Sequence, residues 1–210
     1  MANLFMAIKC ETLDELKADY KDCKRCSLCA NRTDIVFWDG MPGAEILVCG
    51  EAPGADEDRC GVPFSGRAGK RLNQLLHHAG THRSSLHITN IVLCRPVQGG
   101  KNGKPTPMEA MTCQPRLFRE IELVNPKAII CLGGYAASII LQQKRFPAPV
   151  GQMRGWHDAD INGKTYKTFV SWHPAYELRR TQAGDYSTNR EMFEDWQKVL
   201  EVVPEAQVLT

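Results

Sequence analysis

Four short apolar runs alternate with helix-forming segments along this chain, and this alternation constrains the fold more than any other feature of the sequence. The runs are residues 45–49, 87–93, 128–132 and 167–172. Their apolar and branched side chains are typical of strands that are buried on both faces. Strands that alternate with helices form a parallel sheet with helices on each side. The sequence therefore predicts a three-layer α/β/α sandwich with a central, mostly parallel sheet.

The segments between and around these runs carry apolar residues at helical spacing. Within residues 11–29, a helix capped by Thr12 is expected to lead into CKRCSLC. Further helices are expected at residues 69–79, 105–124, 135–143 and 187–202. The 210 residues contain no internal repeat, low-complexity segment or interdomain linker. Residues 1–210 are therefore expected to form a single domain, on which an N-terminal helix and a cysteine-containing segment (residues 1–40) pack.

The sequence shows no sign of secretion or of membrane insertion. The opening MANLFMAIKC is too short and too weakly apolar for a signal peptide, and no apolar run approaches the length of a membrane span. We therefore expect a cytoplasmic protein, or one in another intracellular compartment, that is not secreted. In a reducing compartment its nine cysteines are not expected to form a disulfide framework.

Cysteine spacing indicates a metal or cluster site. Cys23 and Cys26 form a C-x2-C pair, and Cys94 and Cys113 follow at positions from which two more thiolates can approach that pair. Cys29 competes with Cys26 as a ligand. Spacing alone does not separate zinc from an iron–sulfur cluster, and the alternative is a set of unrelated thiols that bind nothing.

Unusual segments follow the carboxyl ends of the four predicted strands. They are GEAPG, CRP, GGYA and HPAY, which begin at residues 50, 94, 133 and 173. Ligands of parallel α/β sheets bind at this edge, so the four segments are expected to border one pocket. GEAPG lacks the ending of a P-loop, which disfavours a nucleoside triphosphatase. It could still bind an anion through backbone N–H groups, or serve only as a strand-to-helix turn.

Three side chains near this edge have both a functional and a structural interpretation. His173 can donate a hydrogen bond to a developing oxyanion, or be a structural histidine. Asn90 is predicted within a buried strand, where its amide needs partners in the protein or in a ligand. Phe64 offers a flat ring that either fills the core or stacks on a ligand.

Four motifs in this order resemble those of one known family. GEAPGADEDRCGVPFSGRAGKRL, TNIVLCRP and HPAYELRR, with C-x2-C before an Arg-Thr pair and a later lone cysteine, are similar to motifs of family 4 uracil-DNA glycosylases. The resemblance extends from about Cys23 to Arg180. It implies the three-layer fold and an enzyme that hydrolyses the N-glycosidic bond of deoxyuridine in DNA, releasing uracil and leaving an abasic site.

The resemblance also implies a 4Fe–4S cluster. The leucine, arginine and threonine of the family pattern C-x2-C-x-L-x3-R-T fall into place when the first two ligands are Cys23 and Cys26. Cys94 and Cys113 match the other two ligands, and Cys29 is then an extra thiol. The cluster of this family is structural, and it is expected to tie the N-terminal segment to the loop beside the active site.

For the chemistry, the resemblance assigns roles to three residues of the predicted pocket. Asn90 matches the amide that reads the uracil edge, and Phe64 matches the ring that stacks on the flipped base. His173 matches the donor to uracil O2 as negative charge grows, and one such donor is worth about 3 kcal/mol. Rotation of the target nucleotide out of the base stack costs a few kcal/mol, and it costs least in mismatches or single strands. Deaminated cytosine opposite guanine is such a mismatch.

The residue that activates water is a separate question. Ala52 stands where the better-known family 1 enzymes carry an aspartate, and family 4 members usually have a small residue there. Glu57, as a pocket-lining residue, and Glu51, as a structural or electrostatic one, are the matching carboxylates that could support water or the sugar cation. Gly54 would allow the DNA backbone and base to approach closely.

The remaining expectations concern DNA. The segment HPAYELRR is expected to be a loop that enters the minor groove. Family members often carry an apolar residue where this chain has Glu177, which leaves Tyr176 or Leu178 as the wedge. The net charge is only +2, but a local basic surface is still expected, because binding depends on where the charges lie. Four cations are expected to meet phosphates there: Arg67, Lys70, Arg179 and Arg180.

The expected partner is uracil-containing DNA, bound by a monomer in a nucleoid or another DNA-containing compartment and without a membrane. The alternative is a protein of the same fold in which catalysis is weak or lost, and which serves as a DNA- or partner-binding module. A zinc-bearing DNA-binding module is a more distant alternative, which the buried strands disfavour. The joint presence of Asn90, Phe64 and His173 favours the enzyme.

Overall fold

The computed structural model describes residues 8–206, and a six-stranded sheet forms its centre. The strands are β1 (Asp39–Gly40), β2 (Ile46–Gly50), β3 (His87–Asn90), β4 (Val97–Gln98), β5 (Lys101–Asn102), β6 (Ala128–Leu132), β7 (Gly155–Ile161) and β8 (Lys164–Ser171). The central sheet has the order β1-β3-β2-β6-β8-β7, whereas β4 and β5 pair with each other as a hairpin.

The four inner strands run parallel, and the two edge strands are antiparallel to their neighbours. Gly50 at the end of β2 pairs with Asn90 at the end of β3. Leu132 at the end of β6 pairs with Ser171 at the end of β8. The four carboxyl ends are therefore aligned along one edge, as the ligand edge of such a sheet requires.

Helices cover both faces of this sheet. They are α1 (Leu13–Tyr20), α2 (Ala55–Cys60), α3 (Arg67–Ala79), α4 (Pro107–Val124), α5 (Gly134–Ile140), α6 (Val150–Met153), α7 (Pro174–Gln182) and α8 (Ser187–Val202). Side chains alternate along each strand, so Val48 packs in one core with residues of α3 and α8, and Cys49 packs in the other with residues of α4 and α5. The predicted three-layer α/β/α sandwich is confirmed.

Local sequence explains where the main helices begin. At α4, the Thr106 hydroxyl accepts from the Glu109 backbone N–H at 3.2 Å, and the Glu109 carboxylate accepts from the Thr106 N–H at 2.8 Å. This reciprocal cap, with Pro107 in the first helical position, satisfies N–H groups that the helix itself leaves without partners. At α1, the Thr12 hydroxyl caps in the same way by accepting from the Glu15 N–H at 3.1 Å.

The first helix ends at Tyr20, before the C-x2-C pair, as expected. The structure corrects two other predicted segments and adds one strand. Strand β3 ends at Asn90, which puts the amide at the pocket edge and not in mid-strand. HPAYELRR is not a loop, because a helix begins directly after His173. Edge strand β7 was missed, although the Asn162–Gly163 turn, with both φ angles positive, is a hairpin signal.

Residues 8–206 include no helix that combines the length and the apolar character needed to cross a lipid bilayer. The single domain over residues 1–210 stays a prediction. Its two ends, residues 1–7 and 207–210, lie outside the described residues, and with them most of the segment MANLFMAIKC.

Candidate active site and cysteine cluster

Gly50, at the carboxyl end of β2, leaves room for two side chains of a pocket because it has no side chain itself. A Cβ atom at this position would lie 2.5 Å from Oδ1 of Asn90 and 2.5 Å from the ring of Phe64. Glycine therefore lets the amide and the ring meet over the strand end. Both side chains line one cavity, to which His173 also contributes.

The backbone around Phe64 is held in an unfavourable conformation. Phe64 has a φ of +52°, which is uncommon for a residue with a side chain. Arg83 donates from Nη1 to the Phe64 carbonyl at 3.0 Å and from Nη2 to the Pro63 carbonyl. Asp39 in turn accepts from Arg83 Nε at 2.6 Å. A Cβ at Gly69 would lie 1.6 Å from the Phe64 carbonyl oxygen, so only glycine permits this path of the chain.

His173 is fixed as a neutral hydrogen-bond donor. The residue precedes α7, and its Nδ1 accepts from the Ala175 backbone N–H at 3.1 Å, so the ring proton of the neutral form lies on Nε2. Burial, with the positive charges of Lys104 and Arg179, lowers the pKa of His173 from 6.5 to about 4. A neutral imidazole with Nε2–H can therefore donate into the pocket at neutral pH.

Glu57 lines the cavity, and both of its carboxylate oxygens bind backbone N–H groups. Oε2 accepts from Gly54 at 3.0 Å, and Oε1 accepts from Gly66 at 2.8 Å. The side chain thereby joins the GEAPG turn to the start of α3. Ala52 and Gly54 also line the cavity, as the sequence predicts.

Glu51 lines the same cavity, and its carboxylate accepts fewer hydrogen bonds than that of Glu57. Its Oε2 accepts from Lys104 Nζ at 2.9 Å. No protein hydrogen bond to Oε1 is present in residues 8–206. Burial raises the pKa of Glu51, and Lys104 opposes that rise. Glu51 therefore has a carboxylate oxygen available to a substrate or water, whereas both oxygens of the pocket-lining Glu57 are bound by backbone N–H groups.

Aromatic and basic side chains of α7 surround the mouth of the cavity. Tyr176 stacks on Trp172 with ring centroids 4.9 Å apart and planes inclined by 21°. The Arg179 guanidinium lies 6.0 Å from the centre of the Tyr176 ring. All three residues line the cavity, whereas Leu178 does not, so Tyr176 is the better placed of the two wedge candidates.

The other predicted phosphate contacts are distributed unevenly. Arg67, the first residue of α3, lines the cavity, and Lys70 lies exposed one turn further along the same helix. Arg180 forms an ion pair with Asp185 and does not line the cavity. Arg67 and Lys70 therefore extend the basic surface along α3, whereas Arg180 lies at its margin.

Glu177 points into the protein. Its side chain is 1% exposed and accepts from Arg71 Nε at 2.9 Å and from Arg71 Nη2 at 3.2 Å. The Thr181 hydroxyl donates to the same carboxylate at 2.9 Å. This bidentate ion pair fixes α7 to α3, which explains why a charged residue is accommodated here.

Four cysteines expected to act as ligands line a single small cavity next to α4. They are Cys23, Cys26, Cys94 and Cys113. Burial raises the pKa of the Cys26 thiol, and the Cys113 and Cys23 sulfurs add to that rise. Burial also raises the pKa of Cys94 to about 11. The four thiols thus line one cavity, as the ligands of a single group must.

Three guanidinium groups face the sulfurs of this cysteine cluster. Arg32 Nη1 lies 3.2 Å from Cys94 Sγ, Arg116 Nη2 lies 3.7 Å from Cys113 Sγ, and Arg25 Nη1 lies 3.8 Å from Cys23 Sγ. Cations at these positions stabilise thiolates and the net negative charge of a group that thiolates bind. The donor set and its surroundings therefore fit an iron–sulfur cluster.

Cys29 lines the same cavity as these four cysteines. Residues 8–206 contain no three potential ligands at the spacing of a single metal ion. The fit to a cluster thus rests on the common cavity and on the guanidinium groups. The cavity alone does not separate Cys29 from the other four cysteines, so its assignment as the extra thiol rests on the family pattern C-x2-C-x-L-x3-R-T.

Several residues of the site were not found from the sequence. Lys104 follows the β4–β5 hairpin, in the polar segment GGKNGKP, which has no apolar pattern that predicts a strand. The Gly99–Gly100 pair, with both φ angles positive, is a hairpin signal that could have placed Lys104 at the pocket. Arg83 has no comparable signal, because its contacts to Pro63 and Phe64 depend on the tertiary fold.

Comparisons with known proteins agree with this geometry. Residues 37–201 match the family model described as the uracil DNA glycosylase superfamily. The chain is 35% identical to a type-4 uracil-DNA glycosylase of Archaeoglobus fulgidus over 94% of this chain and 96% of that protein. It is 37% identical to a type-4 uracil-DNA glycosylase of Thermotoga maritima over 80% and 84% of the two chains. A type-5 uracil-DNA glycosylase of Mycobacterium tuberculosis is 35% identical over only 49% of this chain and 43% of that protein.

Proposed function

Because this chain belongs to the uracil DNA glycosylase superfamily, we propose that it hydrolyses the N-glycosidic bond of deoxyuridine in DNA, releasing uracil and leaving an abasic site. One observation carries the proposal. The Asn90 amide, the Phe64 ring and the His173 imidazole line one cavity at the carboxyl edge of the sheet. Together they can read a base edge, stack on its face and stabilise its leaving charge.

Base recognition precedes the chemistry. A base inside a duplex is out of reach, so the target nucleotide must rotate out of the stack and into the pocket. Phe64 then stacks on its face, and the Asn90 amide forms hydrogen bonds with the edge that distinguishes uracil from cytosine. Asn90 is 3% exposed. A base whose edge does not pair with this buried amide leaves its polar atoms without partners, which costs binding free energy and gives selectivity against the wrong base.

Cleavage leaves an electron pair on the uracil and positive character on the sugar. The His173 Nε2–H donates to uracil O2 as that negative charge develops, and the neutral ring needs no proton transfer to do so. Glu51 faces the same cavity, where its carboxylate can stabilise the sugar cation or orient a water molecule. Ala52 leaves room for that water, and Glu57 keeps the turn in shape.

DNA binding is assigned to the basic and aromatic mouth of the cavity. Arg67, Lys70 and Arg179 contact phosphates, with Arg180 at the margin of this surface. Tyr176 supports the gap that the flipped nucleotide leaves, and its packing on Trp172 keeps it at the mouth. The substrate is therefore uracil-containing DNA, bound by a monomer in a compartment that contains DNA.

We assign a 4Fe–4S cluster to the cysteine cavity, held by Cys23, Cys26, Cys94 and Cys113. When bound, the cluster supplies a covalent cross-link between the N-terminal segment, the chain after β3 and α4, and no redox step is needed for hydrolysis. Arg32 supports this link from the protein side, because its Nη1 also donates to the Cys23 carbonyl at 2.7 Å.

The test uses the purified protein, kept anaerobic, with oligonucleotides that contain either uracil or thymine at one position. Treatment with alkali then cleaves the strand at any abasic site. The proposal predicts cleavage that depends on uracil. A protein with an intact cluster that binds the DNA but gives no cleavage would favour the alternative, a DNA-binding module without catalysis. Broad absorbance near about 400 nm, with iron and sulfide, would support the cluster, and a colourless zinc protein would contradict it.

A further inference from the structure

A fully buried charge network lies behind the base pocket. Arg116 and Glu120 on α4 and His87 on β3 are each 0% exposed. Arg116 Nη1 donates to Glu120 Oε2, and Glu120 Oε1 lies 2.8 Å from His87 Nε2. Burial of an ion pair rarely stabilises a fold more than apolar side chains of similar volume would. The network is therefore expected to serve another purpose.

The Arg116 guanidinium binds three consecutive residues at the end of β3. Nη2 donates to the Asn90 carbonyl at 2.7 Å and to the Ile91 carbonyl at 3.1 Å, and Nη1 donates to the Thr89 hydroxyl at 3.3 Å. Neighbouring strand β1 pairs with β3 at His87 and Ile88. Arg116 thus supplies hydrogen-bond donors where that pairing ends.

This arrangement fixes the backbone of Asn90 from two sides. On the β2 side, the Ile91 N–H donates to the Gly50 carbonyl at 3.0 Å. On the α4 side, Arg116 binds the carbonyls of Asn90 and Ile91. The Asn90 Oδ1 lies over Gly50, and within residues 8–206 no hydrogen bond holds the side-chain amide itself. Its direction in the pocket is therefore set by the backbone that Arg116 holds.

We propose that Arg116 is a positioning residue for base recognition, which aligns the Asn90 amide with the uracil edge through the backbone of residues 89–91. The inference rests on the proposed function, since Asn90 must be the residue that reads the base. Arg116 does not line the pocket, so a side chain outside it would determine the affinity and selectivity for uracil. Lysine cannot replace it fully, because a single ammonium does not reproduce the planar fork that spans two carbonyls and a carboxylate.

The test compares Arg116→Lys and Arg116→Met with the parent protein and with Arg119→Met. Arg119 lies on the same helix and binds Glu122 and the Cys10 carbonyl, so its loss removes similar contacts away from β3. Only preparations that keep the absorbance of the cluster are compared, because Arg116 also lies 3.7 Å from Cys113 Sγ. The Lys variant keeps a charge beside Glu120, so it supplies a folded protein if the Met variant does not fold.

Three measurements separate positioning from stability alone. They are inhibition by free uracil, affinity for DNA with an abasic-site analogue, and hydrogen exchange in peptides that cover residues 87–94. We expect Arg116→Lys to weaken uracil inhibition and to slow single-turnover cleavage by about tenfold or more, which corresponds to at least about 1.4 kcal/mol. Affinity for abasic DNA should stay unchanged, exchange at the end of β3 should accelerate, and Arg119→Met should resemble the parent.

A folded Arg116→Lys protein with parental uracil inhibition and parental exchange would overturn the inference. Equal losses of uracil affinity and of abasic-DNA affinity would also overturn it, since they would indicate a general structural role. Absence of uracil release by the parent protein would contradict the proposed function instead. The exchange measurement would then still show whether Arg116 fixes this strand end.

Discussion

The rings of Phe64 and His173 lie stacked, with centroids 5.9 Å apart and planes inclined by 28°. The residue proposed to stack on the base is thus in contact with the residue proposed to stabilise its leaving charge. Phe64 comes from the loop between α2 and α3, and His173 comes from the short connection between β8 and α7. Their contact joins two segments that are far apart in the sequence into one wall of the pocket.

Replacement of Phe64 by alanine is expected to lower both uracil affinity and the rate of cleavage. Stacking of a base on an aromatic side chain is worth about 1–3 kcal/mol, so the loss of affinity should be about fivefold or more. Phe64→Leu is the matched control, because leucine fills space beside His173 without offering an aromatic face. Uracil inhibition and single-turnover rates measure the two effects. An alanine variant with parental values for both would contradict the stacking role.

Asn90→Asp is expected to change the selectivity of the pocket. An ionised carboxylate only accepts hydrogen bonds, so it repels the carbonyl edge of uracil and matches the amino group of cytosine. We expect uracil release to fall by about a hundredfold or more and the ratio of cytosine to uracil release to rise. Single-turnover assays on matched uracil and cytosine oligonucleotides measure this ratio. An unchanged ratio, with the protein folded by circular dichroism, would argue against base reading by Asn90.

His173 is expected to stay neutral over the pH range in which an ordinary histidine titrates, since its pKa is lowered from 6.5 to about 4. Cleavage should therefore show no step near pH 6.5 that His173→Gln removes, and the step that His173 causes should lie near pH 4. The unfolded chain binds a proton between pH 6.5 and about pH 4 that the folded protein does not. This residue therefore makes stability fall as the pH is lowered through that window.

His173→Ala should in addition slow cleavage more than it weakens DNA binding. One lost donor of this kind corresponds to about a hundredfold or more in rate. Affinity for abasic DNA serves as the control because the phosphate contacts are unchanged. A histidine resonance that titrates near pH 6.5 and is assigned to His173 by nuclear magnetic resonance would contradict the neutral-donor assignment.

The layers of the fold followed from the sequence because they depend on local patterns. Apolar runs, the cap at Thr12, helical spacing of apolar residues and glycines after the strands identified the sheet, most helices and the ligand edge. The positions of Asn90, Phe64 and His173 at one cavity agree with expectation as well. The edge strand β7 was not predicted from the sequence, because its residues are only partly buried and lack a continuous apolar run.

The details of the pocket did not follow, because they arise from contacts between distant segments. The sequence could not reveal that Glu57 is bound by Gly54 and Gly66, nor that Glu177 pairs with Arg71 across 106 positions. The two partners of a buried ion pair show no regular spacing in the sequence from which their pairing could be predicted. Which oxygens of Glu51 and Glu57 the protein binds is therefore seen only in the structure.

Glu51 and Glu57 are expected to respond differently to replacement by glutamine. Glu57→Gln loses the charge that two backbone N–H groups bind, so the melting temperature should fall by several degrees. Glu51→Gln should leave stability nearly unchanged, because its ion pair with exposed Lys104 is partly solvated. It should lower the single-turnover rate instead. Thermal denaturation and cleavage of both variants test this division, and a rate loss confined to Glu57→Gln would reverse the assignment.

Cysteine variants are expected to separate the four ligands from the fifth thiol of the cavity. Cys26→Ala removes one of the four proposed ligands that line the cavity, so anaerobic protein should lose most of its absorbance at about 400 nm and its bound iron. Cys29→Ala should keep both, since the family pattern C-x2-C-x-L-x3-R-T gives Cys29 no ligand position. Iron and sulfide contents of the two proteins, prepared in parallel, provide the measurement. Loss of the cluster in Cys29→Ala with retention in Cys26→Ala would make Cys29 the ligand. The proposed link between the N-terminal segment and α4 would then run through Cys29.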